Sequence, residues 1–237
     1  VTRSGLPSAP ETDPARVDEA VSAAIASGAS LYVAERGRLA ELGPDLVVGQ
    51  AVCDVCAVGP DEAASALPEG ARLLSLRATS LAGIREDLAR LGAATGQARE
   101  AEAEIEALEA ELETLRGAGR GRRALALEWS DPPFLGGHWI PELFHRVGAE
   151  HLLAGPGEPS RRARWSDVRV AAPEVVVFMP CGYDLGGAKA EAEGCAPLLE
   201  LGAEVWATDA TRLFSRCTSA AVRAGAATLA ALLSGAA

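Results

Sequence analysis

Residues 128–142, Glu-Trp-Ser-Asp-Pro-Pro-Phe-Leu-Gly-Gly-His-Trp-Ile-Pro-Glu, hold the densest set of chemically capable side chains in the chain. Residues 129–144 contain Trp129, Phe134, Trp139 and Phe144, four of the ten aromatic residues, together with His138. Glu128 and Asp131 offer carboxylates of the kind used in general acid–base work, although two acids three residues apart are weak evidence for catalysis. Flat apolar rings beside a few polar groups suit the binding of a small molecule. Pro132-Pro133 stiffens the segment, and Gly136-Gly137 permits close backbone approach. The structural alternative is a loop whose rings simply cover the core.

Thiols form the second set. Cys53-Asp-Val-Cys56 fits redox exchange, half of a metal site, or two packed thiols. No second CxxC completes a zinc ribbon. Cys181, in Pro180-Cys-Gly-Tyr183, joins Cys53, Cys56 and His138 as a soft-metal set if the fold brings them together. Cys195 and Cys217 read as ordinary thiols, and His145 and His151 as helix-surface or helix-end residues. Arg216, two residues after Phe214, is able to meet a carboxylate or phosphate. GxSxG, P-loop and GxGxxG signatures are absent from the sequence.

These residues need elements to position them. Asp13-Pro14 opens a helix to about Ser27, and a short helix covers about 36–42. The compact apolar run 45–49 is a buried strand, a helix starts at Pro60, and a strand covers 72–76. This is βαβ rhythm, which implies parallel strands. From Ser80 to about Arg116 the pattern predicts one long helix of about 50 Å, with Gly92 and Gly96 as kink points. Its second half carries Glu at 100, 102, 104, 106, 109, 111 and 113, read as a solvated acidic face. Strands at 124–128, 174–179 and 204–207 and helices from Pro141, Trp165 and Thr218 resume the alternation. The expected organisation is an N-terminal lobe over 1–79, a connecting helix over 80–118 and a C-terminal lobe over 119–237. The fold class is α/β, with two Rossmann-like lobes. In such sheets ligands bind at the carboxyl ends of strands, where the 128–142 segment begins.

Composition narrows the function. The chain has 237 residues, 22 Lys+Arg, 33 Asp+Glu and a net charge of −11. A basic footprint for nucleic acid or an anionic membrane is missing, and no apolar run is long enough to span a bilayer. Five cysteines, an odd number at this length, argue against a disulfide framework. The chain opens on Val1 rather than Met and reads as a fragment or processed product, so no signal peptide is visible to fix a compartment.

Glu128-Trp129, Asp131-Pro-Pro-Phe134, Gly137-His-Trp139 and Pro141-Glu142 together resemble the cobalamin-binding-protein family. These are class III periplasmic-type substrate-binding proteins of cobalamin and ferric-siderophore ABC importers. Pro44-Asp-Leu-Val47 with Gln50, Cys53-Asp-Val-Cys56, Pro180-Cys-Gly182 and Phe214-Ser-Arg216 are similar to the same family in the same order. The resemblance implies two α/β lobes joined by one rigid helix and a ligand held between them. It implies a non-enzymatic role: capture of cobalamin, or of haem or another metal chelate, and delivery to an ABC permease. Trp129, Phe134, Trp139, Tyr183 and Phe214 would supply surfaces, and Glu128, Asp131, His138 and Arg216 polar contacts. His138 or one of Cys53, Cys56 and Cys181 would reach the metal. The resemblance implies a periplasmic or cell-surface site, with the cytoplasm left open. The chain departs from the family in seeming to begin after its first βαβ unit, and in Cys217-Thr218 where relatives tend to have Pro-Gly. A metal-binding enzyme or sensor built on Cys53, Cys56, Cys181 and His138 is the alternative, and a scaffold presenting the acidic helix is a third reading.

Overall fold

The computed structural model describes residues 1–5, 13–27, 31–52 and 58–235. The chain divides into two compact units, Val1–Arg77 and Ala78–Ala237. The first holds β1 (Thr2–Ser4), α1 (Pro14–Ala26), β2 (Tyr32–Ala34), α2 (Arg36–Leu42), β3 (Leu46–Gln50), α3 (Pro60–Ser65) and β4 (Arg72–Leu76). Asp13 caps α1 by accepting the Ala15 N–H at 3.1 Å, with Pro14 in the first turn. Gly43 ends α2 in the left-handed region, φ +52°, which favours glycine. β3 and β4 pair in parallel from Leu46 opposite Arg72 to Gln50 opposite Leu76, the pairing that a strand–helix–strand order demands. The short antiparallel pair β1–β2 carries no alternating pattern to announce it.

The second unit runs α4 (Leu81–Thr95), α5 (Ala98–Thr114), β5 (Arg123–Ser130), β6 (Pro133–Leu135), α6 (Ile140–Arg146), β7 (Glu150–His151), β8 (Arg161–Arg162) and α7 (Trp165–Ala171). It continues through β9 (Val175–Phe178), α8 (Leu185–Gly194), α9 (Ala196–Leu199), β10 (Glu204–Ala207), α10 (Ala210–Leu213) and α11 (Ser219–Leu233). No helix among the described residues is long and apolar enough to cross a membrane.

The single helix expected over 80–118 is two helices. Gly96, at φ +74°, closes α4 with a left-handed cap, and the chain doubles back. Arg85 of α4 lies 3.1 Å from Glu109 of α5, residues that one continuous helix would hold about 36 Å apart. Gly92 makes the close approach possible: a Cβ there would sit 2.5 Å from that of Ala101. The acidic face of α5 is only partly left to solvent: Glu100, Glu102, Glu106 and Glu113 are exposed, while three other glutamates meet arginines from neighbouring helices. Glu104 and Glu111 hold Arg223 of α11 at 2.9 and 2.6 Å. Glu109 holds Arg146 of α6 at 3.0 Å as well as Arg85, while Leu108 and Leu112 are buried on the same helix.

The main sheet has the order β10-β9-β5-β6-β8, with β7 also beside β5. β10, β9, β5 and β7 are parallel; β6 runs back antiparallel on β5, and β8 on β6. Val175, Val176, Val177 and Phe178 are all fully buried, as a central parallel strand covered on both faces requires. Leu125, Leu127, Val176 and Phe178 pack with Val168 of α7 and Leu198 of α9. The strands and helices expected in this region are present. The loop expected after residue 128 is instead the end of β5 and the returning strand β6.

His151 is not a helix-end residue. It is buried on β7, its Nε2 accepts the Ala126 N–H at 3.2 Å, and its Nδ1 lies 3.1 Å from the Ala154 carbonyl. The neutral ring with the proton on Nδ1 satisfies both bonds. The ring also meets Phe144 edge-on at 4.9 Å. Burial pushes its pKa down to about 4, so the unfolded chain takes up the proton first as pH falls. Stability from this group is therefore complete above pH 6.5 and is lost between about 6.5 and 4, by about 3 kcal/mol at most. Urea unfolding at pH 7 and pH 4.5 should show this loss in the native chain, and His151→Gln should flatten it; equal slopes in both would refute it.

Candidate functional site

The carboxyl ends of β5, β9 and β10 come out on one edge of the sheet because the three strands are parallel and adjacent. Trp129 lies at the end of β5, half-buried. Its ring meets that of Tyr183, with centroids 5.5 Å apart and planes tilted by 35°. The Cys181 N–H donates to the Glu128 carbonyl at 3.2 Å, which ties the loop after β9 to the end of β5. Gly182, at φ +83°, then turns the chain and delivers Tyr183. The Tyr183 carbonyl accepts the Thr211 Oγ1–H at 3.1 Å and its N–H at 3.3 Å, tying in α10.

Glu191 of α8 lies behind this pair. Its Oε1 accepts the Ser130 hydroxyl proton at 2.6 Å, while Oε2 is buried without a hydrogen-bond partner in the protein. Desolvation pushes the Glu191 carboxyl above the usual carboxylate range, against the pull of Ser130 and Tyr183. Burial, and then the neighbouring Glu191, push the Tyr183 phenol up to about 12. Tyr183 is therefore a protonated flat ring and hydrogen-bonding group rather than a phenolate. Asp184 holds α8 in place by accepting the Gly187 N–H at 2.8 Å. The stretch Asp184 to Gly194 showed no motif in the sequence, but a capping Asp before Ala-Lys-Ala-Glu-Ala-Glu is a helix-start signal that locates Glu191.

The remaining expected site residues divide sharply. Phe134 is the cross-strand partner of Trp129 and is half-buried, with the Arg162 guanidinium 5.7 Å from its ring centre. Glu128 is half-buried beside them, and Asp131 and Cys181 are exposed at the same edge. The hairpin sends His138 and Trp139 the other way. The Gly136 N–H already bonds the Ala126 carbonyl, three residues back from Trp129, about 10 Å along the strand. His138, at φ +55°, is pinned there by Glu158 and Gly157 through its backbone, and burial lowers its pKa. Trp139 and Phe144 are core residues, as is Phe214, whose ring fills the space that a Cβ on Gly225 would need. Glu142 accepts the Leu81 N–H at 2.8 Å and so serves the start of α4. Arg216 is exposed beside α11.

Cys53 and Cys56 lie outside the described residues. Cys181 sits opposite Glu128 and His138 lies beyond the Ala126 pairing, so the described half of the expected Cys/His cluster is not brought together. Among the described residues no group of three His, Cys, Asp or Glu side chains is placed to hold a metal ion.

A carboxylate held above its usual pKa costs stability once ionised, so this group favours the folded chain at low pH and opposes it as pH rises through that pKa. Glu191→Gln, which has no charge to desolvate, should melt at or above the native temperature at pH 8. Glu191→Ala, which leaves the Ser130 hydroxyl unpaired, should melt lower. Thermal unfolding that ranks Gln below Ala would contradict this account.

No family model and no curated protein matches the sequence. Solved structures do match the fold. A periplasmic haem-binding protein from Pseudomonas aeruginosa superposes with a TM-score of 0.69 at 19% identity, over 86% of this chain and 76% of that one. The periplasmic vitamin B12 binding protein of Vibrio cholerae gives 0.57 at 20% identity, over 83% and 78%. An ABC-type Fe3+-hydroxamate transport system protein from Saccharomonospora viridis gives 0.60 at 16%, over 82% and 70%. Mixed α/β elements around a mostly parallel sheet, together with these superpositions, thus give this chain the fold of the class III substrate-binding proteins of ABC transporters.

Proposed function

We propose that the chain captures a flat metal chelate, a haem or a corrinoid such as cobalamin, and hands it to an ABC-type permease. The observation that carries this is the Trp129–Tyr183 ring pair, set at the carboxyl edge of parallel strands and backed by the Glu191–Ser130 hydrogen bond. Two half-buried rings whose positions are determined by the loops beneath them provide an apolar surface at low entropic cost. Phe134 extends that surface, and Glu128, Asp131, Cys181 and Arg216 are the polar groups available to orient a ligand. In this role the chelate is cargo and undergoes no reaction. Two of the neighbours named above are periplasmic proteins that bind haem or vitamin B12, and the third belongs to a ferric hydroxamate transport system; the first two favour the periplasm over the cytoplasm for this chain.

Absorbance titration with hemin and with cyanocobalamin tests the proposal. At least one should saturate at micromolar concentration. Trp129→Ala should weaken that binding about tenfold or more while the variant remains folded by circular dichroism at the titration temperature, since a buried ring contact contributes on the order of 1–3 kcal/mol. Absence of binding by hemin, cyanocobalamin and a ferric hydroxamate alike would overturn it.

A further inference from the structure

The loops at the end of β10 carry a feature that the ring pair does not use. α10 and the start of α11 enclose an open depression of about 350 Å³, lined by Arg212, Leu213, Arg216, Thr218, Ala221 and Ala224. Its floor is aliphatic and its charged groups are two arginines. Several arginines of this unit are ion-paired: Arg85 and Arg146 with Glu109, Arg122 with Glu204, Arg169 with Glu200, and Arg223 with Glu104 and Glu111, whereas Arg99, Arg120 and Arg164 have no ion pair among the described residues but lie scattered, away from this depression. Arg212 and Arg216 have no such acid among the described residues. The nearest carboxylate in sequence, Asp209, accepts the backbone N–H of Arg212 at 3.0 Å as the cap of α10 and makes no ion pair with its guanidinium. On a chain of net charge −11, two guanidinium groups without an ion-pair partner on one small depression concentrate positive charge locally.

The depression is also tied to the ring pair. Thr211, the residue before Arg212, donates through both its hydroxyl and its N–H to the carbonyl of Tyr183. The positions of the Tyr183 ring and of the Arg212 backbone are therefore set by the same two hydrogen bonds.

We infer that Arg212 and Arg216 form an anion subsite, one that takes an oxyanionic substituent of the cargo and so selects chelates bearing one. A guanidinium presents a planar fork matched to carboxylate or phosphate oxygens, and two of them on an apolar floor hold such a group more firmly than either in open water. Free carboxylates on a tetrapyrrole edge and the phosphodiester of a corrinoid nucleotide share this chemistry. The inference rests on the chelate-binding proposal for its cargo, but the subsite is testable without any chelate.

The first test uses citrate and inorganic phosphate on 15N-labelled protein, followed on the arginine Nε–H signals. Two signals, assigned by their loss in Arg212→Gln and Arg216→Gln, should shift saturably at millimolar concentration. If neither signal moves with either anion, the subsite is overturned, whatever the cargo.

The second test compares hemin with its dimethyl ester, and cyanocobalamin with dicyanocobinamide, which lacks the nucleotide phosphate. The native chain should prefer the member of the pair that carries the free oxyanion by about tenfold or more. The double variant Arg212→Gln/Arg216→Gln should bind both members alike. The double variant Arg99→Gln/Arg164→Gln removes equal charge elsewhere and should keep the preference. A preference unchanged in Arg212→Gln/Arg216→Gln would sink the selective role. Citrate shifts without binding of any chelate would keep the subsite and discard the chelate proposal.

Discussion

The parallel pairing of β9 with β5 on one side and β10 on the other is the constraint on which the second unit depends. Val175 to Phe178 are buried without exception, each contributing roughly 1.5–3 kcal/mol by leaving water. A strand buried on both faces has no solvent side, so helices must cover both faces and crossovers must return each strand in the same direction. The three carboxyl ends then emerge together. Trp129, Cys181, Tyr183 and Thr211 are brought together for that reason, although they lie far apart in sequence.

Hydrogen bonds between the strand ends then convert adjacency into geometry. Cys181 bonds the backbone of β5, Thr211 bonds the carbonyl of Tyr183, and Glu191 receives the hydroxyl of Ser130. Each bond ties a loop or helix to the neighbouring strand end, and the Thr211 bonds place the start of α10 against the loop that carries Tyr183. A buried carboxyl oxygen without a partner is the cost of this arrangement, and it falls on Glu191.

Electrostatics in this chain is largely structural. The run of glutamates on α5 looks like a solvated or partner-binding surface, but Arg85, Arg146 and Arg223 arrive from three other helices to meet it. Ion pairs of this exposure contribute little individually. Their effect lies in orientation: they set α4, α6 and α11 around α5, while Leu108 and Leu112 supply the burial. The cations that remain unpaired stand out by contrast.

Much of this was legible in the residues alone. Periodicity and punctuation located β3, β4, β5, β9 and β10 and most helices, because Pro at helix starts and compact apolar runs are local signals that tertiary context did not override. The concentration of aromatics in residues 129–144 pointed to the right strand end. What local signals do not carry is direction. β6 reverses the chain, so Trp129 and Phe134 stay at the edge while His138, Trp139 and Phe144 are carried back into or along the core. Gly92 and Gly96 read as kinks in a rod, yet only the packing of α4 on α5, closest where Gly92 meets Ala101, decided that the rod folds on itself. The sequence by itself determined which segments become strands and helices, and that aromatic, acidic and thiol groups cluster after them. The tertiary structure alone decided which of those side chains meet. Contact between distant segments depends on strand order and chain reversal, and these are settled by global burial rather than by any one segment.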